Sequence, residues 1–237
     1  MRDAQERRIQ RLEEAERKAA AAKQSQLAAN SRVQQAVQDT FVWVTRYTRT
    51  YNEHWQDEGR PCPDEPFPPH PYFKDIFDVF DLERVTWIEK SRDLMVSWAC
   101  VAYLTLNAMK VPRRGVLFQT QTHDKARQLV RYAKHLYHSQ PLWLQNAYPL
   151  TKPLNLQSDL ELHFMNGSSI VGIPGGADQI RSYHPWGYLN DESSFQPECG
   201  ECYNQALAAV KGKIIFNSSA GPGWYSDVRR GIIVQAD

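Results

Sequence analysis

The sequence has few cysteines and almost no net charge. Four cysteines occur in 237 residues, and 28 Lys and Arg side chains against 27 Asp and Glu leave a formal charge of +1. This charge gives no general indication of nucleic-acid binding, which would have to come from a local basic patch. Only Cys199 and Cys202 have a metal-like spacing. Because no second pair or nearby histidine accompanies them, the pattern favours reduced thiols near a helix start over a zinc or redox site.

Long apolar runs are absent as well. No stretch of about 18 apolar residues occurs, and Met1 is followed by polar and charged residues instead of a signal sequence. We therefore expect a soluble, cytoplasmic protein without a membrane span. The hydrophobic content of 42% is sufficient for a substantial core, and the length allows one large domain plus an arm.

The arm is residues 1–32, which are rich in Ala, Gln, Glu and Arg and contain opposite charges four residues apart. This composition predicts a helix with few apolar residues to bury, either solvated and partly disordered or used for docking. The globular domain is predicted to cover residues 33–237. Six prolines between Gly59 and Pro71 predict an extended connector within it.

Strand-like and helix-like segments alternate through the rest of the domain. The predicted strands are 85–89, 115–120, 160–164, 168–173, 188–192 and 214–217, and the predicted helices are 94–109, 124–137 and 199–210. Such alternation implies right-handed crossovers, and therefore an α/β fold with a mainly parallel sheet and helices on both faces. The exception is a hairpin over 160–173, because Asn166-Gly167 is a strong two-residue turn signal.

Two adjacent carboxylates, Asp191 and Glu192, follow the short apolar run that begins at Tyr188. An apolar strand within a parallel sheet ends at the edge where ligands bind, so both side chains would face an open crevice. One carboxylate can hold Mg²⁺ while its neighbour orients a water molecule. For this pair taken alone, a solvated strand end is the alternative interpretation.

A strand, a tight loop and a helix start surround residues 90–98, which is the setting of a phosphate-binding loop. These residues are Lys90, Ser91, Arg92, Asp93, Leu94, Met95, Val96, Ser97 and Trp98. In the standard pattern, G-x-x-x-x-G-K-[ST], backbone amides and a Lys contact the phosphates and the hydroxyl reaches Mg²⁺. If Ser97 is that hydroxyl, Met95 replaces the second Gly and Val96 replaces the Lys. The remaining cations, Lys90 and Arg92, stand at the front of the loop.

A third segment, from Lys213 to Gly223, contains a β-branched strand that ends in Ser218 and Ser219. A Gly/Pro turn follows these hydroxyls. Beside a phosphate site, the two hydroxyls could sense a γ-phosphate. The segment taken alone is more typical of an ordinary strand and turn.

Taken in this order, the three segments resemble the ATPase domain of the large terminase subunit of tailed bacteriophages, the motor that packages DNA into a procapsid. The resemblance covers about residues 67–228. Its parts are a phosphate loop with a basic residue at the front, a Walker B match over 188–192 and a coupling-motif match at Ser218 and Ser219. Residues 175–182 resemble the glycine-arginine stretch that precedes Walker B. The resemblance implies a P-loop ATPase of the additional-strand type.

This resemblance also implies ATP hydrolysis, with ATP and Mg²⁺ as cofactors. Ser97 and Asp191 would hold the metal ion. Glu192 would position or deprotonate the attacking water, and Arg92 would neutralise phosphate charge through its bidentate fork. The implied nucleotide contacts are the loop residues from Lys90 to Trp98 together with Ser218 and Ser219.

The implied partners are double-stranded DNA, a portal protein and a small terminase subunit, with assembly as a homo-oligomeric ring in the host cytoplasm. Motors of this kind commonly take an arginine from a neighbouring subunit, and Arg127 and Arg181 are candidates, each with a structural role as the alternative. A cationic face on the helix after Thr122 could follow a DNA backbone or be an ordinary solvated surface. Its residues are Arg127, Arg131, Lys134 and His138.

Large terminases also carry a nuclease domain after the ATPase. No corresponding carboxylate cluster follows the coupling-motif match here, so no DNA cleavage is expected of this chain, which would be an ATPase fragment or a naturally split product. Two other functions stay open. One is a helicase-like DNA translocase domain, and the other is a non-catalytic scaffold whose phosphate loop has decayed, as Met95 and Val96 suggest.

Overall fold

The computed structural model of the protein describes residues 2–52 and 55–231, and it describes the side chains of the first helix at residues 17, 18 and from 22 onward. The chain forms two compact units, which divide between Asp39 and Thr40. The first unit contains helix α1 (Arg2–Val37), whose side chains from 22 to 32 are exposed. Ala, Gln, Glu and Arg are good helix formers, which accounts for a long helix in a segment with few apolar residues. The boundary expected between residues 32 and 33 falls inside this helix.

The second unit alternates strands and helices. Its strands are β1 (Arg49–Tyr51), β2 (Asp64–Pro66), β3 (Val85–Lys90), β4 (Gly115–Gln119), β5 (Glu161–His163), β6 (Ser169–Ile173), β7 (Gly187–Asp191) and β8 (Lys213–Ser219). Its helices are α2 (Thr40–Tyr47), α3 (Pro71–Leu82), α4 (Val96–Lys110), α5 (His123–His138), α6 (Leu142–Ala147), α7 (Asp178–Arg181), α8 (Cys199–Ala209) and α9 (Trp224–Arg229). In the described ranges, none of the helices has the length and apolar character needed to cross a membrane.

Six strands form the central sheet in the order β3-β8-β7-β4-β6-β5. Neighbouring strands are parallel except β5, which is antiparallel to β6. The predicted α/β fold with a mainly parallel sheet is therefore confirmed. The hairpin is confirmed as well, and its turn contains Gly167 at a φ of 83°, where glycine has no steric penalty. Strand β8, which ends in Ser219, lies between β3, which leads into the predicted phosphate loop, and β7, which ends in Asp191.

Helices cover both faces of this sheet. Successive side chains of each strand point to opposite faces, so the apolar strands present side chains for burial on both. On one face, Tyr188 and Phe216 pack in a core cluster with residues of α7, α8 and α9. On the other face, α4 and α5 contact the strands. A Cβ on Gly187 would lie 2.8 Å from Leu104 Cδ2 of α4. The missing side chain at this position therefore allows α4 to approach the acidic strand closely.

Cys199 and Cys202 lie on α8 in this core as free, buried thiols. Burial raises the pKa of Cys199 to about 12 and that of Cys202 to about 11. Both thiols therefore stay protonated near neutral pH and pack as small apolar groups. Within the described ranges, no group of three or more His, Cys, Asp or Glu is placed to hold a metal ion.

Two local backbone features set the start of helices near the site. The proline-rich segment ends at Pro71, which occupies the first turn of α3, where a missing N–H removes no helical hydrogen bond. Helix α4 begins at Val96, so the start predicted at residue 94 is wrong by two residues. Asp93 and Met95 have φ values of 63° and 52°, and a right-handed helix cannot include left-handed residues.

Candidate functional site

The three predicted segments meet at the carboxyl edge of the sheet, where β3, β8 and β7 end side by side. The parallel register places Lys90 beside Ser219 and Asp191 beside Asn217. The loop after β3 leads into α4, whose first turn carries Ser97. Together these elements line a cavity of about 530 Å³, a volume usual for small-molecule sites.

The predicted phosphate loop has a turned backbone although it contains no glycine. Asp93 and Met95, together with Glu192 at the end of β7, are three of the four non-glycine residues with positive φ in the described ranges. A left-handed residue costs about 1–2 kcal/mol, and such strain persists where the surrounding structure enforces it, often at functional sites. Met95 has φ 52° and ψ 23°. It therefore adopts the conformation that a loop glycine would take without strain.

A closed set of hydrogen bonds joins α4 to the acidic strand. Ser97 Oγ donates to Asp191 Oδ1 over 2.9 Å. Asn217 Nδ2 donates to the same oxygen over 2.6 Å and to Ser97 Oγ over 3.2 Å. Burial raises the pKa of Asp191 above its usual value, and the ammonium of Lys90 opposes this shift. The two residues predicted to hold a metal ion, Ser97 and Asp191, are thus in direct contact.

A second contact joins the front of the loop to Glu192. Lys90 Nζ lies 3.1 Å from Glu192 Oε1, and Ser219 Oγ donates to Glu192 Oε2 over 2.9 Å. The side chain of Lys90 is only 11% exposed. Burial acts to raise the pKa of Glu192, but Lys90 and Ser219 outweigh this effect and lower that pKa overall. Both carboxylate oxygens of Glu192 are therefore engaged.

The positive charge of the loop comes from its front. Val96, which stands where the standard pattern has a lysine, is 3% exposed and belongs to the apolar core. Lys90 instead reaches the cavity from the end of β3, and Arg92 and Asp93 line the same cavity from the exposed part of the loop. The chain thus has cations at the cavity without a lysine in the first turn of α4.

Several predicted nucleotide contacts lie outside this cavity. They are Ser91, Leu94, Met95, Val96, Trp98 and Ser218. Residues 94–96 and Trp98 line a neighbouring cavity of about 520 Å³ instead. Trp98 is buried and stacks on Tyr132, with the ring centroids 3.9 Å apart. Its role in the structure is therefore to pack α4 against α5.

The two predicted sensor hydroxyls are placed differently. Ser219 lines the cavity. Ser218 is fully buried, where its Oγ accepts a hydrogen bond from the Ser194 backbone N–H over 3.0 Å. Alternation along β8 explains the difference, because Asn217 and Ser219 share one side of the strand and Ser218 lies on the other. Direct contact with a ligand in the cavity is therefore open to Ser219 and not to Ser218.

Sequence reasoning missed contributions from the end of β4 and the middle of β8. Gln121, Lys125 and Tyr132 line the cavity from the turn after β4 and from α5. The predicted strand end before this turn was a usable signal, since parallel strands end at the same edge. Asn217 gave little signal, because the sequence does not show which residues of the neighbouring strands lie beside it.

The cationic face predicted on α5 is partly engaged within the chain. Arg127 makes ion pairs with Asp124 at 2.5 Å and with Asp159 at 3.8 Å. Lys134 Nζ donates to the carbonyl of Ser158 over 2.7 Å. Arg127 and Lys134 are thus engaged by groups of the same chain, so the described face is not a continuous stripe of free cations.

The residues that line the cavity fit Mg²⁺ and a polyphosphate. The hydroxyl of Ser97 and the carboxylate of Asp191 are oxygen donors of the kind that Mg²⁺ prefers, and this ion usually keeps several waters and substrate oxygens. Lys90 and Arg92 supply positive charge for phosphate oxygens.

Solved structures of known proteins share the fold of this chain. No family model matches the sequence, and no curated protein matches it. The chain is similar to the HK97 bacteriophage large terminase, with a TM-score of 0.55 and 12% identity, over 77% of this chain and 37% of that one. It is also similar to the ATPase domain of the Thermus phage P74-26 large terminase, with a TM-score of 0.50 and 14% identity, over 76% of this chain and 73% of that one. At these identities the likeness is one of fold, and the chain has a large-terminase-like fold.

Proposed function

We propose that this chain is an ATP-hydrolysing motor domain of the large-terminase type, which drives double-stranded DNA into a procapsid. The observation that carries the proposal is the convergence of Lys90, Ser97, Asp191, Glu192 and Ser219 on one cavity at the carboxyl edge of the sheet. These residues provide a phosphate-binding cation, a metal-binding pair and a base, which are the parts that phosphoryl transfer to water requires. The fold shared with terminase ATPase domains supports the same function.

Phosphate binding would rely on Lys90 and Arg92. Charge-assisted hydrogen bonds to phosphate are short and strong, and a guanidinium can form two of them in parallel. The ammonium of Lys90 is largely shielded from water, so its charge interacts more strongly than that of an exposed lysine. Because Val96 lies in the core, we assign to Lys90 the phosphate contact that a loop lysine makes in the standard pattern.

Hydrolysis would rely on the residues at the end of β7. Ser97 and Asp191 would hold Mg²⁺, which when bound neutralises charge on phosphate oxygens. Glu192 would orient the attacking water and accept its proton. In the structure, Lys90 Nζ donates a hydrogen bond to Oε1 of this carboxylate. When Lys90 turns to a phosphate, Oε1 becomes free to accept a hydrogen bond from water, and Ser219 keeps the carboxylate oriented.

The proposal includes double-stranded DNA, a portal protein and a small terminase subunit as partners, and a homo-oligomeric ring in the host cytoplasm. In such a ring a neighbouring subunit would supply an arginine. Arg181 suits this role better than Arg127. Its side chain is 63% exposed and pairs with Asp178 at 3.3 Å, whereas Arg127 is 33% exposed and contacts two carboxylates.

A non-catalytic scaffold is the second candidate, because Met95 and Val96 replace the glycine and lysine of the standard loop. Two features of the site favour catalysis instead. Met95 still adopts the left-handed turn, and Lys90 still places an ammonium beside Glu192. A helicase-like translocase would use the same site chemistry and would differ from a packaging motor in its DNA substrate.

Mg²⁺-dependent release of phosphate from ATP tests the proposal. We expect slow release from dilute protein and faster release at concentrations that permit assembly, because a neighbouring subunit would supply the arginine. Asp191→Asn is expected to lower the rate about 100-fold, since it removes a metal-binding charge worth several kcal/mol.

Asp159→Asn is the matched control, because Asp159 is exposed and lies outside the cavity. This variant should release phosphate at the rate of the unchanged chain. No release at any protein concentration, with or without double-stranded DNA, would favour the scaffold. Equal rates in Asp191→Asn and in the unchanged chain would show that the observed activity does not come from this cavity.

A further inference from the structure

Asn217 lies in β8, between the strand that leads into the loop and the strand that ends in the carboxylates. It is fully buried and stands in register with Asp191 of β7. Its Nδ2 donates to Asp191 Oδ1 over 2.6 Å and to Ser97 Oγ over 3.2 Å, and Ser97 Oγ donates to the same carboxylate oxygen over 2.9 Å. One amide nitrogen thus contacts both residues assigned to the metal ion.

The orientation of this amide is set by its neighbours in the site. Asn217 Oδ1 is buried and has no hydrogen-bond partner in the described part of the chain. An unpaired buried acceptor is unfavourable and rare in folded proteins. The opposite orientation would place Oδ1 against Asp191 Oδ1, so that two acceptors would meet. In the observed orientation, Nδ2 therefore donates to Asp191 and Ser97 while Oδ1 stays without a partner among the described residues.

A second buried asparagine, on the adjacent strand, has a different environment. Asn190 is also fully buried, and its Nδ2 donates to the hydroxyl of Tyr188 over 2.8 Å. Its Oδ1 accepts from Ser193 Oγ and from Gln196 Nε2, each over 2.8 Å. Both ends of this amide are satisfied within the core, which is typical of a structural side chain. Asn190 is thus a natural control for Asn217.

We propose that Asn217 is a positioning residue for the metal ion, holding Asp191 and Ser97 in the mutual arrangement that binding of a divalent cation and a nucleotide requires. This inference rests on the proposed function. Asn217 acts through the two oxygen donors, since it lies beneath the cavity and does not line it. Partners that orient metal-binding side chains typically account for about 10- to 100-fold in metal affinity.

The test is the factor by which Mg²⁺ strengthens binding of a non-hydrolysable ATP analogue, measured by calorimetry with Mg²⁺ and with EDTA. In Asn217→Ala this factor is expected to fall about 10- to 100-fold relative to the unchanged chain. In Asn190→Ala the loss of a buried amide should lower thermal stability and leave the factor unchanged. If the role of Asn217 were purely structural, the Mg²⁺ factor would respond in the same way in Asn217→Ala and in Asn190→Ala.

Asn217→Leu is the second variant, and it serves if Asn217→Ala does not fold. Leucine has the same number and branching of side-chain heavy atoms as asparagine but no hydrogen-bond donor. Its matched control is Asn190→Leu. A Mg²⁺ factor equal to that of the unchanged chain in either folded variant of Asn217, or an equal fall in the matched variants of Asn190, would overturn the inference. Failure of the unchanged chain to bind the analogue would overturn the proposed function itself, and the inference with it.

Discussion

Glu192→Gln is expected to stop ATP turnover while nucleotide binding is retained. The amide has nearly the shape of the carboxylate and can still accept a hydrogen bond from Ser219, but it cannot take a proton from water. Loss of a general base typically costs about 10²- to 10⁴-fold in rate. Because Glu192 is not one of the residues assigned to the metal or the phosphates, the affinity for nucleotide should stay close to that of the unchanged chain. Phosphate release and calorimetric titration measure the two effects separately.

Glu89→Gln provides the control for this substitution. Glu89 is exposed, lies directly before Lys90 and does not line the cavity. The same chemical change at this position should leave both turnover and binding unaltered. If turnover persists in Glu192→Gln, Glu192 is not the general base. Loss of nucleotide binding in this variant would show that Glu192 holds the ligand instead.

Lys90→Ala is expected to weaken both nucleotide binding and turnover. A hydrogen bond to a charged group contributes about 1.5–3 kcal/mol, which corresponds to about 10- to 150-fold in affinity. The rate at low ATP should fall further, by about 10³-fold or more, because a cation that stabilises the transferring phosphoryl group contributes to the transition state as well. Val96 cannot compensate, since it lies in the core.

Arg92→Ala separates the two cations at the front of the loop. Arg92 is exposed, so water screens its charge more effectively than that of Lys90, and a smaller loss of affinity is expected. Titration of both variants with the same ATP analogue gives the comparison. Unchanged affinity in Lys90→Ala together with a large loss in Arg92→Ala would assign the main phosphate contact to Arg92.

The general form of the fold was predictable from the sequence because its signals are local. Alternating apolar strands and amphipathic helices predict a parallel sheet, and the Asn166-Gly167 pair predicts the hairpin. The start of α4 was not predictable in the same way. A positive φ is uncommon for methionine, so the residue type gives no indication of the left-handed turn at Met95.

The candidate site was predictable where a polar residue ends a buried strand. Asp191, Glu192 and Ser219 all follow this pattern, and the structure places them at one cavity. Ser218 does not reach the cavity. Side chains alternate along a strand, so only one of the two adjacent serines can face the cavity, and the sequence does not show which one. Asn217 was missed for a different reason: its contacts depend on the neighbouring strand, which the sequence alone does not position.

Calorimetric titration of the protein with a non-hydrolysable ATP analogue in the presence of Mg²⁺ is the decisive test of a nucleotide site in this cavity, because binding does not require the arginine of a neighbouring subunit. We expect saturable binding of one nucleotide per chain, with the affinity reduced in Lys90→Ala and retained in Glu192→Gln. No heat of binding at millimolar nucleotide, or binding that is unaffected by Lys90→Ala and Arg92→Ala together, would contradict a nucleotide site at the carboxyl edge of this sheet.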